Sequence, residues 1–160
     1  MLQKISCLGK KATVLVFLTV DCPIANQYAP ELARLCRDYT TRGVLFYAVY
    51  VDPETSEAQA QQHARAFGLS CLVLCDPQHR LVQEAGATIT PEAAVFTPDR
   101  KRRYRGRIDD RFPRLGQRRA SITSPDLRNA LDAVLAGKPV ATPLTRAVGC
   151  LMPTLKEKKR

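Results

Sequence analysis

The sequence lacks most of the features that identify an active site directly. It has no serine, histidine and aspartate arrangement, no glycine-rich phosphate loop and no double zinc-type CxxC motif. It has only two histidines, His63 and His79, and we interpret both as surface residues rather than bases or metal ligands. Its longest apolar run, residues 12–20, is too short to cross a bilayer, which takes roughly 20 residues. These absences argue against hydrolase, nucleotide-binding, zinc-binding and membrane-spanning proteins.

Length and composition indicate one soluble globular domain. The chain has 160 residues, of which 45% are hydrophobic and 25% charged, and a chain of this size can bury a substantial core. Lys10 and Lys11 before the apolar run could mark a signal peptide, but no small-residue cleavage site follows, so we interpret the run as a buried strand. The sequence is compatible with two locations: the cytoplasm for the sequence as given, or the periplasm or exterior if a signal peptide has been removed.

The net charge of +10 is concentrated in two segments, RKRRYRGR at 100–107 and KEKKR at 156–160. Basic residues with an interleaved aromatic are found on some surfaces that follow phosphates. The alternative is a solvated hairpin, and we favour it, so that no nucleic-acid partner is expected.

Apolar patterns alternate between strand and helix along most of the chain. Strands are predicted at 13–20, 44–51 and 71–75, helices at 23–43, 54–67, 78–86 and 124–137, and an antiparallel hairpin at 92–97 and 102–108. The first helix is expected to kink at Pro30, and the last to be capped by Ser124 or Asp126. We expect a domain at 1–137, with an irregular insertion at 109–123, and a tail at 138–160 partly folded back on it.

The join between the first strand and the first helix contains Asp21, Cys22 and Pro23. A thiol at a helix start lies among unpaired backbone N–H groups at the positive end of the helix dipole, and Pro23 suits the first helical position. Both effects favour the reactive thiolate, whereas the Asp21 carboxylate opposes it. We therefore expect the pKa of Cys22 to be lowered moderately, against the alternative of a buried structural cysteine.

Three segments resemble a known family. The strand ending in TVDCP, the helix after it and the later TITPEAAVF are similar to the thioredoxin-like superfamily, in its redoxin and alkyl hydroperoxide reductase/thiol-specific antioxidant branch. The resemblance covers residues 10–137 and implies a three-layer α/β/α fold with a central mixed sheet and a C-terminal β-hairpin plus helix. It also implies that Cys22 is the reactive cysteine and that a cis-proline, Pro91, precedes the neighbouring strand.

Two departures limit the resemblance. Thioredoxins carry a second cysteine three residues after the first, where this chain has Ala25. Peroxiredoxins carry a Pro-x-x-x-Thr-x-x-Cys pattern with an arginine beside the thiolate; Thr19 matches the threonine, Leu15 replaces the proline, and Thr90-Pro91 stand where the arginine strand is expected. The substrate-binding residues implied by the resemblance are Thr19, Asp21, Pro23, Thr90 and Pro91.

The other five cysteines divide by their positions. Cys36 lies on the apolar stripe of the first helix, and Cys71 and Cys75 bracket a short strand, too far apart to bridge each other. We interpret these three as buried free thiols. Cys7 is undetermined.

Cys150 belongs to the tail, next to the small Gly149, and could return to the helix start as the resolving thiol for Cys22. If it does not, Cys22 works as a monothiol with an outside partner.

No cofactor or metal is expected. A copper site of the thioredoxin-like kind would need a second cysteine four residues after Cys22, where the chain has Asn26. The carboxylates Asp109 and Asp110 lie between arginines and are interpreted as a salt-bridged loop.

The sequence therefore predicts a thiol–disulfide oxidoreductase with Cys22 as nucleophile. Its partners would be a disulfide-containing protein or peroxide substrate and an external thiol reductant. The alternatives are a thiol peroxidase and a non-enzymatic thioredoxin-fold binding domain, which the missing CxxC makes plausible.

Overall fold

A continuous apolar run forms the central strand of the sheet. The computed structural model describes residues 9–155, so that Cys7 and the basic segment at 156–160 lie outside it. The strands are β1 (Ala12–Leu18), β2 (Val44–Tyr50), β3 (Leu72–Cys75), β4 (Ile89–Thr90), β5 (Glu92–Phe96), β6 (Arg102–Gly106) and β7 (Cys150–Leu151). The helices are α1 (Pro23–Gln27), α2 (Ala29–Thr40), α3 (Glu57–Ala66), α4 (Arg80–Ala85) and α5 (Asp126–Leu135).

The main sheet is mixed and has the order β3-β2-β1-β5-β6. β1, β2 and β3 are parallel, whereas β5 runs antiparallel to β1 and β6 antiparallel to β5. Every residue of β1 is buried, as expected for a central strand covered on both faces. The predicted hairpin is confirmed as β5 and β6.

Helices cover both faces of this sheet, so the predicted three-layer α/β/α fold is confirmed. Alternate residues of β1 point to opposite faces: Val14 and Val16 join a cluster with α2, α3 and α5, and Leu15 and Phe17 join a second cluster with α4. The parallel arrangement brings the carboxyl ends of β1, β2 and β3 to one edge of the sheet. Cys22 follows β1 at this edge.

Two details of the helices differ from the predictions. The first helix is divided at Tyr28, two residues before Pro30, into the short α1 and the longer α2. The N-cap residue of α5 is Pro125, with no capping hydrogen bond from its side chain. The Ser124 hydroxyl donates to the Asp126 carboxylate instead, at 2.9 Å.

The insertion at 109–123 contains the predicted salt bridges and is also anchored by shorter hydrogen bonds. Asp109 accepts a hydrogen bond of 2.7 Å from the Tyr28 hydroxyl, and Asp110 accepts from the amides of Thr123 and Ser124 at 2.9 and 3.0 Å. The arginine contacts are longer, at 3.7 Å for Asp109 and 3.6 Å for Asp110. Burial opposes ionisation of Asp110, but the hydrogen bonds from residues 123 and 124 lower its pKa to about 2.

The basic hairpin is less solvated than predicted. Arg102 and Arg105 donate to the carbonyls of Ala85 and Gly86 at the end of α4, where cations are favoured by the helix dipole. The tail covers the outer edge of β6: the Arg105 amide donates to the Pro143 carbonyl at 3.0 Å. Covering an edge strand removes unpaired backbone groups.

Candidate active site

The candidate nucleophile lies between β1 and α1. Cys22 is the N-cap residue of α1, with Pro23 in the first turn, where the missing N–H leaves no hydrogen bond unmade. The Ala25 amide donates to Cys22 Sγ at 3.5 Å, and Cys22 is only 2% exposed. A backbone donor aimed at the sulfur favours its thiolate form once the cysteine is reduced.

The segment facing Cys22 contains a cis peptide bond between Thr90 and Pro91, as predicted. Thr90 is fully buried, and its carbonyl oxygen lies 3.4 Å from Cys22 Sγ. This distance allows the reduced thiol to donate to that carbonyl. The Thr90 hydroxyl has no hydrogen-bond partner within residues 9–155.

The tail brings a second sulfur to this place. β7 pairs antiparallel with β4, with Cys150 opposite Thr90. The structure pairs Cys150 with Cys22 as a disulfide, with Cα atoms 6.1 Å apart, inside the usual range of about 4.4–6.8 Å. Gly149 packs so closely against the Thr90 carbonyl that any side chain at this position would overlap it.

The other predicted site residues differ in accessibility. Thr19 and Pro91 are buried, whereas Asp21 and Pro23 are exposed on either side of Cys22. In this oxidised form, a docked molecule can therefore contact Asp21 and Pro23 but not Thr19. No arginine in the described part of the chain donates a hydrogen bond to Cys22, whose sulfur contacts only Thr90 and Ala25 in this way.

A hydrogen-bonded chain behind α1 was missed from the sequence. Asn26 donates to the Val20 carbonyl at 3.1 Å and accepts from His63 Nε2 at 2.8 Å. His63 Nδ1 therefore accepts from the Tyr50 hydroxyl, also at 2.8 Å. This chain fixes the turn that carries Cys22, and no signal in the sequence connects its members.

Both histidines differ from the surface residues that we predicted. His63 is partly buried, and burial lowers its pKa, which favours the neutral ring that the hydrogen-bonded chain needs. His79 is 7% exposed, and its Nε2 lies 2.7 Å from the Val51 carbonyl oxygen. Both side chains hold backbone or helix positions, so neither is free to act as a surface base.

The prediction that Cys36 and Cys71 are free thiols is wrong. They form a disulfide between α2 and the start of β3, with Cα atoms 5.6 Å apart. Cys75 is free, as predicted, but it is half-buried rather than buried. Burial and the nearby Glu57 carboxylate raise its pKa, so this thiol is a poor nucleophile at neutral pH.

Within residues 9–155, no three histidine, cysteine, aspartate or glutamate side chains are grouped to hold a metal ion. None of the helices described there is long and apolar enough to cross a membrane.

Comparison with known proteins identifies the family. A sequence model described as the AhpC/TSA family matches residues 2–105, which include Cys22 and Pro91. The chain belongs to the AhpC/TSA family. The match stops before the tail, so the family pattern covers Cys22 but not Cys150. This AhpC/TSA protein therefore has a candidate second cysteine that the family match does not account for.

Solved structures resemble the AhpC/TSA protein over most of its length. An uncharacterized conserved protein from Geobacillus kaustophilus is 32% identical, with 93% of this chain and 79% of that chain covered and a TM-score of 0.80. A hypothetical protein from Sinorhizobium meliloti is 27% identical over 93% of this chain and 82% of that chain, with a TM-score of 0.79.

A more distant structure, a secreted disulfide oxidoreductase from Mycobacterium tuberculosis, is 18% identical over 77% of this chain and 81% of that chain. Its TM-score of 0.55 supports the shared thioredoxin-like fold. A search of curated proteins finds no match to this chain.

Proposed function

We propose that this protein is a thiol–disulfide oxidoreductase in which Cys22 is the nucleophile and Cys150 the resolving thiol. The observation that carries the proposal is the pairing of these two sulfurs beside the cis Thr90–Pro91 bond. Ala25 leaves Cys22 without the nearby partner of a CxxC motif. The tail supplies that partner from 128 residues further along the chain.

The cycle begins with the reduced protein. The Cys22 thiolate attacks one sulfur of a substrate disulfide, forms a mixed disulfide and releases the first substrate thiolate. The Cys150 thiolate then attacks Cys22 Sγ, forms the Cys22–Cys150 disulfide and releases the second substrate thiol. Two electrons pass from the protein to the substrate, and two equivalents of an external thiol return them while becoming a disulfide.

The surroundings of Cys22 suit this role. The Ala25 amide stabilises the thiolate, and the Thr90 carbonyl can accept a hydrogen bond from the thiol. Exposed Asp21 and Pro23 flank the site on the surface that a protein substrate would touch. Buried Thr19 and Pro91 shape its interior.

The family match favours peroxide as a second candidate substrate. In that reaction the Cys22 thiolate would attack a peroxide oxygen and release water or an alcohol. Cys150 would then condense with the resulting sulfenic acid and release water. Two observations make us prefer the disulfide substrate: Leu15 replaces the proline, and no arginine within residues 9–155 is hydrogen-bonded to Cys22.

The test uses the oxidised and reduced protein with single variants. Peptide mapping of the oxidised wild type should recover a Cys22–Cys150 linked peptide, and both Cys22→Ser and Cys150→Ser should lose it. Cys22→Ser should abolish turnover of a disulfide substrate, Cys150→Ser should stop after one mixed disulfide, and Cys75→Ser should behave as wild type.

Alkylation of reduced protein should show Cys22 titrating below the free-thiol value of about 8.5. Faster oxidation of Cys22 by hydrogen peroxide than by any disulfide would favour the peroxidase. Turnover of neither substrate would leave a binding domain. If the oxidised Cys150→Ser variant contained as many disulfides as the wild type, the resolving role would be excluded.

A further inference from the structure

A cavity of about 930 Å³ lies next to the β4 and tail segments that lead into Thr90 and Cys150, and its volume is within the size range of small-molecule sites. Its walls come from β4, β6, the insertion at 109–123 and the tail, and its lining includes Ile89 and Gly149. Ile89 precedes Thr90, and Gly149 precedes Cys150. Because consecutive Cα atoms are about 3.8 Å apart, this end of the cavity reaches within one residue of Thr90 and Cys150.

The cavity lining is strongly cationic. Its arginines are Arg105, Arg107, Arg114 and Arg146. Arg107 is paired with Asp126 at 2.7 Å, but the other three form no ion pair with any carboxylate in the described part of the chain. The one carboxylate in the lining, Glu92, already accepts a hydrogen bond from the Thr88 amide at 2.7 Å.

Arg105, in the wall of this cavity, has an unsatisfied hydrogen-bond donor within the described part of the chain. Its Nη1 donates to the Gly86 carbonyl, which holds the guanidinium in place. Its Nε is buried and has no hydrogen-bond partner among residues 9–155. A buried donor without an acceptor is unfavourable, and a guanidinium pairs well with a carboxylate. Arg105, Arg114 and Arg146, which form no ion pair within residues 9–155, therefore leave this wall with a positive charge that favours an anionic ligand.

We propose that the cavity binds a small carboxylate-bearing thiol that reduces the Cys22–Cys150 disulfide. The proposal rests on the proposed function and names the chemical class of its reductant. Cys22 is buried, whereas Cys150 is partly exposed, so an incoming thiolate reaches Cys150 more easily. The arginines would hold the carboxylate while the thiol extends from the Gly149 end of the cavity toward Cys150.

The exchange balances in two steps. The bound thiolate attacks Cys150 Sγ, forms a mixed disulfide and releases Cys22 as a thiolate, which the Ala25 amide stabilises. A second thiol attacks the sulfur of the bound ligand, leaves as the small-molecule disulfide and releases the Cys150 thiolate. Two small thiols are oxidised, and one protein disulfide is reduced.

The experiment measures the reduction of the oxidised protein by 3-mercaptopropionate and by neutral 2-mercaptoethanol. Each rate is divided by the rate at which the same thiol reduces the uncharged 2-hydroxyethyl disulfide, which corrects for intrinsic nucleophilicity. We expect a normalised preference of at least fivefold for the anionic thiol, decreasing as salt is added. The Arg114→Gln/Arg146→Gln double variant should lose it, whereas Arg100→Gln, outside the cavity, should keep it.

A second arm distinguishes a small thiol from an acidic protein segment. It compares a short cysteine peptide carrying aspartates with the same peptide carrying asparagines. A charge preference seen only with the peptides, equal normalised rates for the two small thiols, or an undiminished preference in the double variant would each overturn the proposal. Peptide mapping beforehand shows whether the Cys22–Cys150 disulfide forms, so a failure of the proposed function is recognised separately.

Discussion

Substitution of Gly149 by alanine tests how the tail reaches the active site. The backbone of Gly149 is not in the left-handed region, so alanine carries no conformational cost there. Its Cβ, however, would lie 2.7 Å from the Thr90 carbonyl carbon and 3.1 Å from Pro91 Cδ, and closer still to the carbonyl oxygen. Carbon atoms in contact prefer about 3.5 Å or more, so the carbon–carbon contact alone requires the two segments to separate by roughly 0.8 Å. The closer contact with the oxygen requires a larger separation.

The free-energy cost of the Gly149→Ala substitution depends on which atoms would overlap. The carbonyl belongs to the backbone, so it cannot rotate away as a flexible side chain would. Overpacking of this kind costs about 1–3 kcal/mol, which is roughly a five- to 150-fold change in an equilibrium constant. The cost applies only when β7 is seated on β4, so it should weaken the Cys22–Cys150 disulfide and leave the rest of the fold unchanged.

The assay equilibrates wild type and Gly149→Ala in thiol–disulfide buffers and measures each disulfide by alkylation and mass spectrometry. The Cys22–Cys150 equilibrium should shift toward the dithiol by the factor above, whereas the Cys36–Cys71 disulfide serves as an internal control and should not move. A wild-type equilibrium for Cys22–Cys150 in the variant would refute the reasoning. So would an equal loss of stability in the fully reduced protein, because the effect would then not depend on closing the tail.

Two further predictions concern stability. The Cys36→Ala/Cys71→Ala variant removes a disulfide that closes a loop with a sequence separation of 35. The loss of this loop closure should lower the free energy of unfolding by about 4 kcal/mol. Urea unfolding measures the change, with Cys75→Ala as the control, and a loss under about 1 kcal/mol would contradict the prediction. Asp110 has a depressed pKa of about 2, so its contribution is fully present above the unfolded value near 3.9 and is lost as pH falls toward 2. Unfolding of Asp110→Asn should therefore depend less on pH between those values than unfolding of wild type, and parallel profiles would count against the assignment.

The sequence predicted the centre of the site because the signals there are local. Cys22 followed by Pro23 at a strand-to-helix join indicates a thiol at a helix start from neighbouring residues alone. Pro91 at the opening of an apolar strand suggested the cis bond through the family resemblance. Cys150 was suggested by its position in a tail that could return to the helix start, and its place beside Cys22 is seen only in the folded chain.

Contacts between residues far apart in the chain were misjudged or missed. Cys36 lies on a buried helix stripe and Cys71 begins a strand, and their separate patterns indicate burial without showing that the two sulfurs meet. The link from Asn26 through His63 to Tyr50 depends on how α3 packs against α1 and β2. From sequence alone, a polar residue on a helix is predicted to lie at the surface, because its hydrogen-bond partner in the folded chain is not known.

By itself, the sequence determined the five strands of the main sheet, the helices between them and the position of the candidate nucleophile, because periodicity, turn residues and helix-start chemistry act over a few neighbouring residues. It did not predict β4, β7 or the division of the first helix. Only the tertiary structure decided which sulfurs pair, which arginines stay unpaired around the cavity and why Gly149 must be small. These depend on distances across the folded chain, which are set when the two sheet faces are covered and the tail returns to β4. Packing of the entire domain fixes those distances, and no local pattern of residues contains them.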